Sequence, residues 1–290
     1  MPTVSPPSSR RLSNVSVDRL TLARPEYAAA AARALARGAA VAHGFGNFYA
    51  ITASPAPSVV ERINLMKGRP RDQVGSIVTT PVRMARLFDW DRLPLGISAA
   101  QVFDLMDALF ELGPFGFRGP AAAHVHAHLT SVDDDVRTTQ VIAPGARCPS
   151  NAFLARAMEL TGTEYLYVTS ANRSRHVTGA EDEPAHFRGD AIAREFGEDE
   201  QFVVLHHASD ALARHAHPLH DPMSTTILAF HRLGATSVEG RRSLIVERHG
   251  SLPLEALRPI VARFGFDLEL GPKARRRLSL RPYAAHENPS

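Results

Sequence analysis

The stretch Ile63–Pro70, which reads INLMKGRP, places two cationic residues one position apart, with a glycine between them and a proline behind. If the segment is extended, Lys67 and Arg69 point to the same side, because side chains alternate along a strand. Gly68 would let an anion approach the backbone closely. An ammonium beside a planar guanidinium suits phosphate or carboxylate groups, so the pattern indicates an anion site. K-x-R triplets are common, and the alternative to an anion site is that both side chains are solvated surface charges.

A second stretch, Tyr165–Ser174 (YLYVTSANRS), follows about a hundred residues later. It passes from a β-rich run into small polar residues, and ligands of α/β proteins collect at the carboxyl ends of strands. There, Ser170 and Asn172 would offer a hydroxyl and an amide to one ligand. The alternative is a turn in which both side chains bond their own backbone.

The composition is that of a soluble globular protein: 290 residues, 44% hydrophobic and 22% charged. A net charge of +3 permits an anionic partner without requiring one. Cys148 is the only cysteine, which excludes an internal disulfide and any multi-cysteine metal site. No apolar run reaches the ~18 residues of a membrane span, and residues 1–11 lack the apolar core of a signal peptide. We therefore expect a cytoplasmic protein that does not contact membranes.

Helical and strand-like patterns alternate along the chain, which predicts an α/β fold with a substantial sheet. Residues 1–20 are rich in Pro and Ser and are expected to form a flexible tail. Residues 21–264 would form the folded domain, and residues 265–290 a basic extension. Residues 113–120 are rich in turn residues and predict a loop. The predicted helices are 25–37, 58–66, 99–112, 153–160, 191–196 and 254–264, and the predicted strands are 39–42, 48–51 (strand or helix start), 76–80, 125–129, 138–142, 164–169, 202–206, 224–230 and 243–247.

Taken together, the two stretches resemble the YrdC-like family of threonylcarbamoyl-AMP synthases. That family carries a K-x-R motif followed by Pro, and a T-S-A-N-x-S motif after a strand. Three further segments resemble family motifs in the same order, and the similarity spans roughly residues 25–262. These segments are Ala146–Pro149, Pro222–Ile227 and Val246–Gly250.

The resemblance implies an α/β fold, with a twisted mixed sheet flanked by helices around a basic cavity. It makes residues 21–264 a catalytic domain of a divergent member. The family uses ATP, bicarbonate and threonine to form threonylcarbamoyl-adenylate and pyrophosphate, which supplies a modification of adenosine in tRNA. Mg²⁺ would accompany ATP and be held largely by phosphate oxygens. No covalent nucleophile is required.

The resemblance also assigns roles to individual residues. Lys67 and Arg69 would be catalytic and hold the phosphates and the carbonate or carboxylate. The remaining assignments are Ser170, Asn172, Arg147, Ser224 and Arg248 for ATP, and Asn47, Tyr49 and Thr169 for the amino acid substrate.

The sequence departs from the family in the stretch His43–Ile51. The family's early strand there reads close to P-T-[DE]-T-x-Y-G-L, whereas this chain keeps only Tyr49 and loses both threonines and the acid. A site built to hydrogen-bond a substrate hydroxyl loses much when its partners become apolar. Three hypotheses follow: adenylation chemistry on threonine, the same chemistry on another amine, or a non-catalytic relative that binds RNA through the basic cavity and the tail.

Histidine-rich and acidic segments raise the question of a metal site. His124, His126 and His128 would lie on one face of a strand, as metal ligands or as a partly solvated face. His206–His220 contains five histidines without a carboxylate or cysteine at ligand spacing. Asp133–Asp135 would bind a cation or form a charged turn. We assign no metal to any of them.

Overall fold

The strands of the computed structural model form one twisted mixed sheet. The structure describes residues 19–179, 183–237 and 239–283, so the expected tail 1–20 lies almost entirely outside the described residues. The strands are β1 (Ala40–Phe45), β2 (Phe48–Ala53), β3 (Ser76–Val78), β4 (Phe115–Pro120), β5 (Ser131–Asp133), β6 (Val136–Ala143), β7 (Leu166–Ser170), β8 (Phe202–Leu205), β9 (Ile227–Thr236), β10 (Arg242–Arg248) and β11 (Phe266–Leu270).

Eight α-helices accompany the sheet in the described part of the chain. They are α1 (Pro25–Ala36), α2 (Pro57–Met66), α3 (Ala99–Leu112), α4 (Ser150–Thr161), α5 (Arg175–Thr178), α6 (Gly189–Phe196), α7 (Asp210–Ala216) and α8 (Leu254–Arg263). The α3 helix illustrates how the sequence sets an element. Ser98 and Gln101 form a reciprocal capping box at its start, and Val102, Leu105 and Leu109 recur on its buried side.

The strand order is β11-β10-β9-β4-β6-β3-β7-β2-β1-β8, and β5 pairs with β6 outside this path. Parallel and antiparallel pairs mix: β2 and β3 both run antiparallel to β7, while β3 runs parallel to β6. Both faces of the sheet are covered. In β1, Ala40 and Ala42 pack into one hydrophobic core while Val41 packs into the other, as the alternation of side chains along a strand requires. The predicted α/β fold is confirmed.

The predicted loop at residues 113–120 is wrong, because Phe115–Pro120 is strand β4 in the interior of the sheet. It pairs with β6 and β9. Its glycines suggested turns, but Gly119 lies where a Cβ would overlap with the ring of Phe230. A glycine in a strand can mark such a close approach, which sequence patterns do not reveal.

The predicted strand at residues 125–129 is also wrong. The segment forms a turn and a short 3₁₀ helix, Ala127–Leu129, with hydrogen bonds from Val125 N to Ala122 O and from Leu129 N to His126 O. The three histidines therefore do not line one strand face. The Asp134 and Asp135 backbones have positive φ in the β5–β6 hairpin, so Asp133–Asp135 forms the charged turn that was one of its two interpretations.

The sheet extends beyond residue 264, where the folded domain was expected to end. Strand β11 (Phe266–Leu270) pairs in parallel with β10, and Phe266 is buried in the core. The sequence prediction missed this strand, although Phe266, Leu268 and Leu270 alternate with polar residues as in a half-buried strand. Within the described chain, no helix combines the length and apolar character needed to cross a bilayer.

Candidate functional site

The Lys67–Arg69 segment is a turn that ends α2, not an extended strand. Gly68 has a φ of +70°, and its N–H and that of Arg69 donate to the carbonyls of Leu65 and Asn64, each at 2.8 Å. A Cβ on Gly68 would also overlap with Val177 Cγ2. Both the backbone angle and the packing therefore require glycine at this position.

Lys67 is fully buried, with 0% of its surface exposed. Its ammonium donates a hydrogen bond to the backbone carbonyl of Ser170, and its own carbonyl accepts from the N–H of Ser174 at 2.8 Å. Within the described residues, no carboxylate lies within ion-pair distance of the ammonium. Burial first, and then repulsion from Arg69, lowers the pKa of Lys67 well below its ordinary value. Lys67 thus ties the turn after α2 to the end of β7.

The end of β7 presents its polar side chains to the cavity described below. Asn172 is only 3% exposed, and its amide nitrogen donates to the carbonyl of Arg173 at 2.6 Å. Its side-chain oxygen Oδ1 has no hydrogen-bond partner within the described chain. A buried acceptor without a partner is costly, so this oxygen is suited to accept an N–H or O–H group of a ligand.

Two arginines reach this region from different elements. Arg69 follows the turn after α2 and lies near the hydroxyl of Tyr167. Arg248 ends β10, and two of its nitrogens donate to Thr225, one to the carbonyl and one to the hydroxyl, both at 2.7 Å. Burial, together with the nearby charge of Arg69, lowers the pKa of Arg248 to about 10. Neither arginine forms an ion pair within the described chain, so the pair attracts an anion.

A cavity with two lobes lies between these side chains. The larger lobe has a volume of about 300 Å³ and is bordered by Asn172, Ser174, His176 and Glu183; we call it the polar lobe. The smaller has a volume of about 210 Å³ and is bordered by Phe45, Phe48 and Val168 as well as by the polar residues Gln140 and Thr225; we call it the smaller lobe. The residues that border both lobes are Arg69, Gln73, Ser170, Ser224 and Arg248.

The structure thus brings together most of the residues that the motifs singled out. Arg69, Ser170, Asn172, Ser224 and Arg248 border the cavity, and Thr169 borders the smaller lobe. Lys67 does not border either lobe, but its ammonium is hydrogen-bonded to the backbone carbonyl of Ser170, which does. They come from the turn after α2, the end of β7, the loop before β9 and the end of β10, so the fold gathers segments that are far apart in sequence.

Arg147 does not join this cluster. Its side chain is 82% exposed and pairs with Glu111 at 3.0 Å. It borders a separate cavity between the end of α3 and α7, together with Leu212 and His217. The resemblance placed Arg147 in the ATP site, but the structure gives it no contact with the cavity between Arg69 and Arg248.

Asn47 and Tyr49 also do not border either lobe. The amide nitrogen of Asn47 donates to the carbonyl of His220 at 2.7 Å. The hydroxyl of Tyr49 donates to Asp210 at 2.7 Å and accepts from the N–H of His207 at 3.0 Å. Both side chains hold the segment before and after α7 against the β1–β2 hairpin. Among the described residues, they have no contact with the candidate site.

Residues 277–283, which we call the C-terminal segment, contribute to the site. Sequence reasoning missed this contribution. Leu278 and Ser279 border the polar lobe. On one side of them, Arg277 pairs with Asp221 at 2.5 Å. On the other, Arg281 pairs with Glu183 and Glu195, at 3.3 and 3.2 Å. The segment therefore crosses the polar lobe and is held at both ends.

Tyr283, the last described residue, is partly buried and contacts the residues just before α6. The hydroxyl of Tyr283 lies 3.0 Å from Nδ1 of His186 and accepts from the N–H of Phe187 at 3.2 Å. Arg188 lies over the Tyr283 ring, 5.0 Å from its centre. Arg277 and Arg281 thus form ion pairs within the fold. Fewer cations of the basic extension are therefore free for the RNA contact considered above.

One group of metal-ligand type occurs among the described residues: Asp133, His231 and Glu247, whose ligand atoms lie within 4.8 Å of one another. These groups already have partners. His231 bonds Asp133 at 2.9 Å, and Arg232 pairs with Glu247 at 2.9 Å. Arg118 pairs with Glu247 as well, at 3.4 Å. Two guanidinium groups balance the carboxylates, so the cluster is an ion-pair network.

No protein-family model matches the sequence, and no curated protein matches it significantly. Solved structures do match the fold. P. abyssi Sua5 complexed with L-threonine aligns with a TM-score of 0.55 and 18% identity over 89% of this chain. E. coli YciO aligns with a TM-score of 0.52 and 14% identity over 78% of this chain and 89% of its own. HypF in a phosphate- and nucleotide-bound form aligns with a TM-score of 0.51 and 16% identity over 77% of this chain and 29% of its own.

These similarities establish a YrdC-like fold, as the two sequence motifs predicted. The chain covers 65% of the length of the Sua5 structure. At sequence identities below 20%, the similarity concerns the fold alone.

Proposed function

We propose that this protein is an enzyme that forms a carbamoyl-adenylate from ATP, bicarbonate and the amine of an amino acid, with release of pyrophosphate. The observation that carries the proposal is the pair Arg69 and Arg248, which border both lobes without a carboxylate partner in the described chain. The ligands of two proteins with the same fold, L-threonine in Sua5 and phosphate and nucleotide in HypF, support it.

The reaction requires several anions to meet. The amine and bicarbonate form a carbamate and water. A carbamate oxygen then attacks the α-phosphorus of ATP, and the bond to pyrophosphate breaks. Two guanidinium groups offset the charge of the phosphates and the carbamate, which otherwise repel each other. The lobes hold the reactants next to one another, which replaces a rare three-body encounter by an oriented one.

The remaining groups fit this assignment. Ser170 and Ser224 offer hydroxyls where the lobes meet, and Oδ1 of Asn172 would accept from the ribose or the base. Glu183 is the one carboxylate among the described residues that border the lobes, and Arg281 already pairs with it. A magnesium ion would therefore be held mainly by phosphate oxygens. When bound, it would neutralise phosphate charge.

Pyrophosphate release from ATP, measured with bicarbonate and a panel of amino acids, tests the proposal. Arg69→Gln and Arg248→Gln should each lower the rate about 100-fold, because each removes a charge-assisted donor to the reacting phosphates. Arg86→Gln is the matched control: Arg86 is exposed and pairs with Glu164, and neither residue borders the lobes. Unchanged rates in both site variants, or no release with any amino acid, would overturn the proposal.

A further inference from the structure

The loop after β7 brings Asn172 to the border of the polar lobe, and a backbone contact sets the orientation of its side chain. The amide nitrogen of Asn172 donates to the carbonyl of Arg173 at 2.6 Å. The other atom of the amide, Oδ1, is therefore the one left for a ligand. Because this orientation depends on the position of the Arg173 backbone, a group that holds Arg173 also sets the acceptor that the polar lobe offers.

Glu195, near the end of α6, holds the Arg173 backbone. Its Oε1 accepts from the N–H of Arg173 at 2.7 Å, and its main-chain carbonyl accepts from the Arg173 guanidinium at 3.1 Å. The same guanidinium lies over the ring of Phe196, 5.6 Å from the ring centre. Glu195 borders neither lobe, so it acts on the site only through the residues that it contacts.

The second carboxylate oxygen of Glu195 binds two further groups. Oε2 accepts from Nε2 of His186 at 2.8 Å and from Arg281 at 3.2 Å. The backbone N–H of His186 donates to the carbonyl of Ala171 at 3.0 Å, so this oxygen also supports the residue that precedes Asn172. Arg281 belongs to the C-terminal segment, which crosses the polar lobe. One carboxylate thus connects α6 to two parts of the border of the polar lobe.

Glutamine is a poor substitute for this carboxylate. An ionised carboxylate accepts on both oxygens, whereas the amide of glutamine accepts on one atom and donates from the other. The three groups around Glu195 are all donors: the Arg173 N–H, the His186 ring and the Arg281 guanidinium. Burial raises the pKa of Glu195, but these donors outweigh that effect and leave the pKa below its ordinary value, so the group is ionised at neutral pH.

We propose that Glu195 is a positioning residue for nucleotide binding, which fixes Asn172 and the C-terminal segment at the polar lobe. The assignment of a nucleotide to this lobe rests on the proposed function. A residue that only stabilised the fold would change the unfolding temperature but not the affinity of the folded protein for ATP. A positioning residue changes that affinity, and it does so through the side chain that it positions.

Calorimetric titration of the full-length protein with ATP and magnesium, without bicarbonate or amino acid, tests this at a temperature where the variants are folded. Glu195→Gln should weaken ATP binding about 30-fold, because it loosens the loop and removes one of the two ion pairs of Arg281. Glu198→Gln is the matched control, because it removes the same charge from a nearby exposed position. An unchanged dissociation constant in Glu195→Gln would overturn the proposal.

A double-mutant cycle shows whether Glu195 acts through Asn172. The group to be positioned is absent from Asn172→Ala, so adding Glu195→Gln to that variant should weaken ATP binding only about threefold further, through Arg281. The same factor in both backgrounds would contradict a positioning role toward Asn172. If Glu195→Gln does not fold, Glu195→Asp replaces it, because aspartate keeps the charge but its shorter side chain reaches fewer of the three donors.

Pyrophosphate release separates this proposal from the proposed function. ATP binding that depends on Glu195, in a protein that releases no pyrophosphate with any amino acid, would overturn the adenylation chemistry and leave the positioning role standing. Pyrophosphate release with the same KM for ATP in the natural protein and in Glu195→Gln would support the chemistry and overturn the positioning role. A natural protein that does not bind ATP would overturn both.

Discussion

The ammonium of Lys67 and the backbone carbonyl of Ser170 are hydrogen-bonded across 103 residues of sequence. This contact joins the two motifs that the sequence singled out, and it does so beneath the cavity. The charge of a ligand in the lobes therefore changes the pKa of a buried lysine in this position.

Nucleotide binding should take up a proton through Lys67. The pKa of Lys67 is lowered by burial and by Arg69, and an anion bound to Arg69 raises it again. Calorimetric titration with ATP in buffers of different ionisation enthalpy, repeated over a series of pH values, should show uptake of up to about one proton at pH values between the pKa of Lys67 without ligand and its pKa with ATP bound. Lys67→Met should remove the buffer dependence. Equal heats in all buffers for the natural protein would contradict the prediction.

Stability should fall as the pH drops below 6.5. Burial lowers the pKa of His43 to about 3, of His206 to about 4 and of His220 to about 3, from an ordinary value of 6.5. The unfolded chain takes up these protons first, so the free energy of unfolding decreases between pH 6.5 and about 4. Each histidine contributes up to about 1.4 kcal/mol per pH unit to this decrease in the free energy of unfolding.

Urea denaturation at several pH values would measure this slope. His43→Gln should make it shallower, because it removes one of the three groups. His215→Gln, at an exposed position in α7, serves as the control. A slope that is the same in all three proteins would exclude His43 as a contributor.

Gly68→Ala should destabilise the protein by more than the backbone angle alone explains. Gly68 (φ +70°) faces Val177, whereas Gly162 (φ +66°) has no atom within 4 Å of where a Cβ would lie. The loss of stability in Gly162→Ala therefore measures the cost of the backbone angle, about 1–2 kcal/mol, and the loss in Gly68→Ala measures that cost plus the overlap. Thermal unfolding should show the larger loss for Gly68→Ala, and adding Val177→Ala should reduce it to the Gly162→Ala level. Equal losses in the two single variants would exclude the overlap.

Arg281→Gln should weaken ATP binding about tenfold. Arg281 holds the C-terminal segment to Glu183 and Glu195, and Leu278 and Ser279 on that segment border the polar lobe. Loss of two charge-assisted contacts, roughly 1–2 kcal/mol, would loosen that wall. Arg275→Gln removes the same charge from an exposed position and should leave the dissociation constant unchanged. Equal weakening in both variants would mean that net charge, and not the segment's position, is responsible.

Sequence alone determined the fold class and most of the residues that share the cavity. The K-x-R and T-S-A-N stretches predicted a YrdC-like fold, and Arg69, Ser170, Asn172, Ser224 and Arg248 do meet in one cavity. The long helices were also predictable, because α3 combines a capping box with a regular apolar spacing. Such features lie within a few neighbouring residues, where chemistry and periodicity can be read directly.

Only the tertiary structure decided which residues share a surface. Arg147, Asn47 and Tyr49 do not border the cavity, whereas Leu278 and Ser279 border its polar lobe. The glycine-rich segment Phe115–Pro120 is a strand in the interior of the sheet. Each outcome depends on packing between segments far apart in the chain. Local sequence patterns carry no information about such contacts, because a side chain's neighbours across the sheet are set by strand order and register.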